Sequence, residues 1–198
     1  MKKLFLLLFI CVLATNVSIF GQVTLDGAVS SGTADGVSTI NVSHTTGTSS
    51  NRLMLVGISS NSYNSARTIN SVKFGTTDLT LVGSRENEAG RLIAIYGLIG
   101  PPSGVSGTVT VTFSGSVNYG IVVGVVNFAG VDQVDPLGDF VSAVGTETAT
   151  ISVDVPTNPN DWVFDTIFLG AATVPSGRES SPSISLPSPN HRGAQIHL

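Results

Sequence analysis

Apolar and polar residues alternate with a period of two through most of this chain, the signature of strands with one face buried. In VSTINVSHT (37–45), Val37, Thr39, Asn41 and Ser43 alternate with Ser38, Ile40, Val42 and His44. GTVTVTFSG (107–115) sets Val109, Val111 and Phe113 against Thr108, Thr110 and Thr112. Two runs are denser: NRLMLVGISS (51–60) reads as a central strand, and YGIVVGVVNFAG (119–130) is apolar on both faces and reads as fully buried. INSVKFG (69–75) and TDLTLVG (77–83) read as short strands around a Gly75–Thr76 turn, and RLIAIYGLIG (91–100) as a strand stopped by Pro101 and Pro102. TATISVDVP (148–156) alternates again, and DWVFDTIFLG (161–170) places Trp162, Phe164, Thr166 and Phe168 on one side, which makes Trp162 a core residue.

Composition supports the strands. Charged residues are 11% of the chain, and no long stretch has a 3.6-residue apolar period. Nine or ten short strands with regular turns predict an all-β, antiparallel two-sheet β-sandwich, of jelly-roll or Ig-like topology. The mixture of one-sided and two-sided strands favours two packed sheets over a small barrel, whose strands should all alternate.

The first residues speak to location. Lys2 and Lys3 precede an apolar stretch from Leu4 to Ala14, with small residues and a cleavage point after Gly21, the layout of a bacterial secretory signal peptide over residues 1–21. The expected domain then spans 22–174, at a secreted or cell-surface location. Cys11, the one cysteine, falls inside the leader, so the exported domain has no disulfide and depends on its apolar core. Without Lys2 and Lys3, seven basic residues face 13 acidic ones, which argues against nucleic acid and anionic membranes as partners. The longest apolar run after the leader, Gly120–Val131, is too short for a helical membrane span. From residue 175 to 198 the chain turns Pro-, Ser- and His-containing, with four of nine prolines and two of three histidines, and reads as a poorly packed tail.

Four stretches in fixed order, NRLMLVGIS, INSVKFGTTDLTLVG, RLIAIYGLIGPPSGVSGTVTVTFSG and VVNFAGVDQVDPLG, resemble a β-sandwich module that recurs in secreted and cell-surface, adhesin-like multidomain proteins of bacteria. The resemblance covers residues 28–170. It implies a sandwich fold, a surface location and an association with attachment, and it carries no catalytic residues. Such modules continue past a DWVFD-like strand with further strands, whereas here Gly170 leads into the tail. The resemblance therefore predicts a sandwich lacking its last strand or two, with an open sheet edge through which the chain could self-associate.

The candidate chemistry is sparse. Asp132, Asp135 and Asp139 follow the most apolar strand, and calcium would take three such carboxylates with loop carbonyls. Pro136 and Leu137 interrupt the spacing, and Asp beside Pro and Gly more often caps a turn, so turn chemistry is the expectation and no cofactor is required. A carbohydrate-active enzyme would need two carboxylates about 5–10 Å apart, drawn from Glu86, Glu88 and Asp132 or Asp154. Glu86 and Glu88 lie in GSRENEAGR, which reads as a solvated hairpin loop. His44 stands alone among polar residues, and His191 and His197 are too isolated for a zinc site. No nucleophile elbow or phosphate-cradling loop is present, so the expectation is a protein without enzymatic activity. SSNSYNSARTIN (59–70) is a better candidate, because Tyr63 with Asn61, Asn64 and Arg67 offers a flat ring, amides and a guanidinium to a sugar. The function expected is adhesion, glycan binding or structural spacing at a bacterial surface.

Overall fold

Strands with one apolar face need a second sheet to cover it, and the chain supplies two. The structure, a computed structural model, describes residues 22–63, 65–87, 90–144, 152–158 and 161–168, together with the backbone of a strand at Gln195–His197. The strands are β1 (Thr24–Leu25), β2 (Ser30–Ala34), β3 (Val37–Thr45), β4 (Leu53–Asn61), β5 (Ile69–Phe74) and β6 (Thr77–Asp78). They continue with β7 (Thr80–Glu86), β8 (Arg91–Ile99), β9 (Ser106–Val117), β10 (Ile121–Ala129), β11 (Val163–Asp165) and β12 (Gln195–His197).

One sheet runs β2-β10-β4-β8-β7, with β1 beside β2 on β10; the other runs β3-β9-β5-β6, and every pairing is antiparallel. The pairs nest: β2 with β10, β3 with β9, β4 with β8 and β5 with β6, successive pairs falling on opposite sheets. An antiparallel ribbon wound around a sandwich gives this order, and it is the jelly roll rather than the Ig-like alternative. β11 and β12 form a separate two-stranded pair, Phe164 opposite Ile196.

The core explains which runs are one-sided. Ile40, Val42, Met54, Val56, Ile58, Val72, Val109, Val111, Phe113, Val123 and Val125 meet between the sheets. Each such fully buried side chain contributes about 1.5–3 kcal/mol of transfer free energy. The other face of β4, β8 and β10 carries Leu53, Leu55, Ile95, Val126 and Phe128, and is covered by Val131, Leu137, Phe140, Trp162 and Phe164. Both faces of β4 and β10 are therefore buried, as their unbroken apolar runs demand. This cover needs two glycines: the Phe140 ring sits where a Cβ on Gly83 would stand, and the Phe164 ring lies 3.2 Å from a Cβ placed on Gly57.

Several sequence expectations change. The 77–83 stretch splits at Leu79, because the chain leaves the β5 sheet after Asp78 and joins β8 on the other. β1 and β2 arise from residues that the alternation left unassigned. Residues 152–158 form no strand, and 148–151 lie outside the described residues. Of the 161–170 stretch, residues 163–165 form a three-residue strand that lies on the outer face of the first sheet instead of joining it, and 169–170 lie outside the described residues. Trp162 is accordingly half-buried and meets Phe128 edge-on, with centroids 5.6 Å apart. Gln195–His197, expected in an unstructured tail, pairs with β11. The leader at 1–21 and the rest of 175–198 lie outside the described residues. Among the described residues no helix is long and apolar enough to cross a membrane.

Candidate functional site

At one end of the sandwich β4 ends at Asn61, while β10 begins at Ile121 and β8 at Arg91. The register Ser60↔Ile121 and Asn61↔Arg91 brings their loops together. Asn61 N–H donates to the Gly120 carbonyl at 2.9 Å, Tyr119 N–H to the Asn61 carbonyl at 3.1 Å, and Ser62 N–H to the Gly90 carbonyl at 2.9 Å. These bonds hold the strand end rigidly against two neighbouring loops.

Tyr63 follows in a tight local turn. Its N–H donates to Asn61 Oδ1 at 3.0 Å, an Asx turn, and its φ is +38°, a value that costs a bulky residue about 1–2 kcal/mol. The ring that results is 54% exposed and lies 5.2 Å from the ring of Tyr119, tilted by 48°, with Tyr119 itself 40% exposed. Two tyrosines side by side form an apolar platform edged by hydroxyls. Ser60 and Ser62, buried at the same strand end, carry hydroxyls without a hydrogen-bond partner.

The four residues expected here have separate fates. Tyr63 is presented to solvent. Asn61 is half-buried and its side-chain oxygen serves the turn, so it positions Tyr63. Arg67 is half-buried, its Nε–H donating to the Ser116 carbonyl at 3.1 Å, which lays the side chain along β9. Asn64 lies outside the described residues. Tyr119 is the residue that sequence reasoning missed. Its signal was its place just before Gly120, a glycine at φ +106°, beside a strand that β4 had to pair.

The opposite end holds a second polar cluster. His44, on β3, is 3% exposed; its Nδ1 lies 2.9 Å from Ser30 Oγ and its Nε2 2.6 Å from Asn127 Nδ2. Ser30 and Asn127 both belong to the other sheet, so the imidazole bolts the two sheets together. Burial pushes the His44 pKa below its usual value, and the hydrogen bond with Asn127 opposes that shift in part. An open groove of about 810 Å³ runs past His44, Ser30, Asp26 and Ser106. The Asp26 carboxylate does not reach toward the imidazole; it accepts the N–H groups of Thr48 and Ser49 at 3.2 Å. The sequence had left His44 solitary because its partners lie on other strands, Ser30 on the one before it and Asn127 far along the chain.

Of the three aspartates, Asp132 serves a turn. Asp132 Oδ1 accepts the N–H of Val134 at 2.7 Å and of Asp135 at 3.3 Å, an Asx turn closing the loop after β10. Asp135 and Asp139 are exposed, and no three His, Cys, Asp or Glu among the described residues come together to hold a metal ion. Asp132, Asp135 and Asp139 are thus adjacent in sequence without converging in space.

Glu86 is the last residue of β7 rather than part of a hairpin loop, and Glu88 lies outside the described residues. Glu86 shares the row Leu92, Ser60, Ile121, while Asp132 lies beyond Phe128 at the far end of β10. Seven residues of extended chain separate those rows, roughly 24 Å, so these two carboxylates cannot act across one glycosidic bond. Set against known protein families, curated proteins and solved structures, the chain matches none, and the candidate site rests on its own geometry.

Proposed function

We propose that this chain is a non-catalytic binding module, exported to the cell surface or beyond, that holds a saccharide against the paired rings of Tyr63 and Tyr119. The observation that carries the proposal is the exposed pair itself: two large aromatic rings left in water at the end of a rigid sandwich, one on a residue with positive φ. A strained, exposed aromatic is costly to keep for folding alone, and such outliers gather at ligand sites. Sugar rings have an apolar face that stacks on tyrosine and hydroxyls that take the phenol groups and nearby loop donors. Loops on a rigid β scaffold are a usual place for such contacts.

The test is a glycan-array screen of the purified protein, run with and without calcium, followed by titration of any hit against Tyr63→Ala and Tyr119→Ala. The expected result is a calcium-independent hit that both substitutions weaken, each by about tenfold, the equivalent of about 1.4 kcal/mol. A hit unaffected by either change would remove the site. A blank array would leave a structural spacer as the better account of the domain.

A further inference from the structure

Sheet edges are where a sandwich is exposed to other chains, and three edges here are protected in familiar ways. β7 carries Arg85 and Glu86 and is bulged between Leu81 and Gly83. β6 is two residues long and closed by the Lys73–Asp78 ion pair at 2.9 Å. β1 and β2 are short, at two and five residues. β3 has no such protection: it is nine residues long, with no proline, and its one ionisable side chain is the inward, buried His44. Its one irregularity lies at its start, between Val37 and Thr39.

Which groups β3 leaves open follows from its ladder with β9. Thr46 N–H donates to the Val105 carbonyl, in line with the register His44↔Gly107, Val42↔Val109 and Ile40↔Val111. Hydrogen bonding alternates along an antiparallel strand, so Ile40, Val42 and His44 spend their main-chain groups on β9. Thr39, Asn41, Ser43 and Thr45 direct theirs away from it, and none of the described strands pairs with that side. The same four residues carry exposed polar side chains on the outer face of the sheet.

We infer that this edge pairs with the same edge of a second copy of the chain, antiparallel about a two-fold axis at Val42. That register sets Thr39 opposite Thr45 and Asn41 opposite Ser43, and each of these pairs occurs twice. All four outward residues then exchange both main-chain bonds, about eight hydrogen bonds in all at two per facing pair. On the outer face the pairs are hydroxyl with hydroxyl and amide with hydroxyl, combinations that stabilise antiparallel sheets. On the inner face Val42 stands opposite Val42 and Ile40 opposite His44, side chains that each copy already buries. The chain carries a net charge of −4, yet no charge opposes another across this seam. The two β3-β9-β5-β6 sheets become one continuous sheet, and the interface is isologous, as a closed dimer requires.

The experiment is sedimentation equilibrium of the purified protein over a roughly hundredfold concentration series, since a dimer must follow mass action. The mass of two chains is expected at the upper end. Ser43→Pro removes an outward N–H that β9 does not use and puts a ring in the path of the partner strand, a placement an edge strand tolerates. It is expected to sediment as one chain throughout. Amide exchange on the unsubstituted protein gives an independent readout. The amides of Thr39, Asn41, Ser43 and Thr45 are expected to gain protection with concentration, while those of Ile40, Val42 and His44 are protected at every concentration. A single-chain mass at all concentrations overturns the inference. So does a dimer that survives Ser43→Pro, or one in which those four amides exchange freely.

Discussion

Tyr63 offers a way to separate what the fold needs from what the site needs. Its φ of +38° is imposed by the Asx turn from Asn61 and by the stitched loops on either side. Replacing it by Ala and by Gly removes the ring in both cases, including its contact with Tyr119, which is worth about 0.5–1.5 kcal/mol. The two variants differ only at the backbone. Ala keeps the left-handed penalty of about 1–2 kcal/mol, and Gly is free of it. Gly also makes the unfolded chain more flexible, which subtracts about 0.4–1 kcal/mol. The net expectation is that Tyr63→Gly is more stable than Tyr63→Ala by about 0.5–1 kcal/mol. For a domain of this size that corresponds to a difference of about 1–4 °C in Tm. Urea unfolding monitored by the fluorescence of Trp162 measures it, with equal m-values as the check that both variants unfold in the same way. Both variants should lose saccharide binding equally, because neither has the ring. Equal stability of Gly and Ala would refute the strain argument, and with it one of the two reasons for placing a ligand at this turn.

Three further predictions follow from the packing. Gly83→Ala puts a Cβ inside the Phe140 ring, so the segment covering the first sheet must shift; a loss of about 1–3 kcal/mol in unfolding free energy is expected, and unchanged stability would show that Phe140 does not sit there. Asp132→Ala should cost about 1 kcal/mol by removing the Asx turn, whereas Asp132→Asn should cost little and chelation nothing; a chelator that lowers Tm would instead restore the metal reading of this loop. His44 is held neutral by burial, its folded pKa lying below the unfolded value near 6.5. The unfolded chain therefore takes up the proton first, so stability is full above that pH. It falls as the pH drops through the folded value, by about 1.4 kcal/mol per unit of separation. His44→Asn should flatten this part of the pH dependence in a series of unfolding curves, and a slope unchanged by the substitution would show that another group governs it.

The alternation of polar and apolar residues determined the class of this protein and the position of most of its strands. β3, β5, β8, β9 and β10 stand within two or three residues of where Ile40, Val72, Ile95, Val111 and Val123 called for them. It did so because burial on one face is a local property, repeated every second residue. The Asx turn at Asp132 was legible for the same reason, since Asp, its acceptor oxygen and the turn amides lie within a few residues. The tertiary structure alone decided what depends on distant pairing. It chose the jelly roll over the Ig-like order, because alternation fixes which face a residue takes and says nothing of which strand lies beside it. It placed Tyr119 against Tyr63, joined His44 to Ser30 and Asn127, and separated Glu86 from Asp132 by the length of a strand. Those relations join residues 14 to 83 positions apart in the chain and exist only once the sheets have closed.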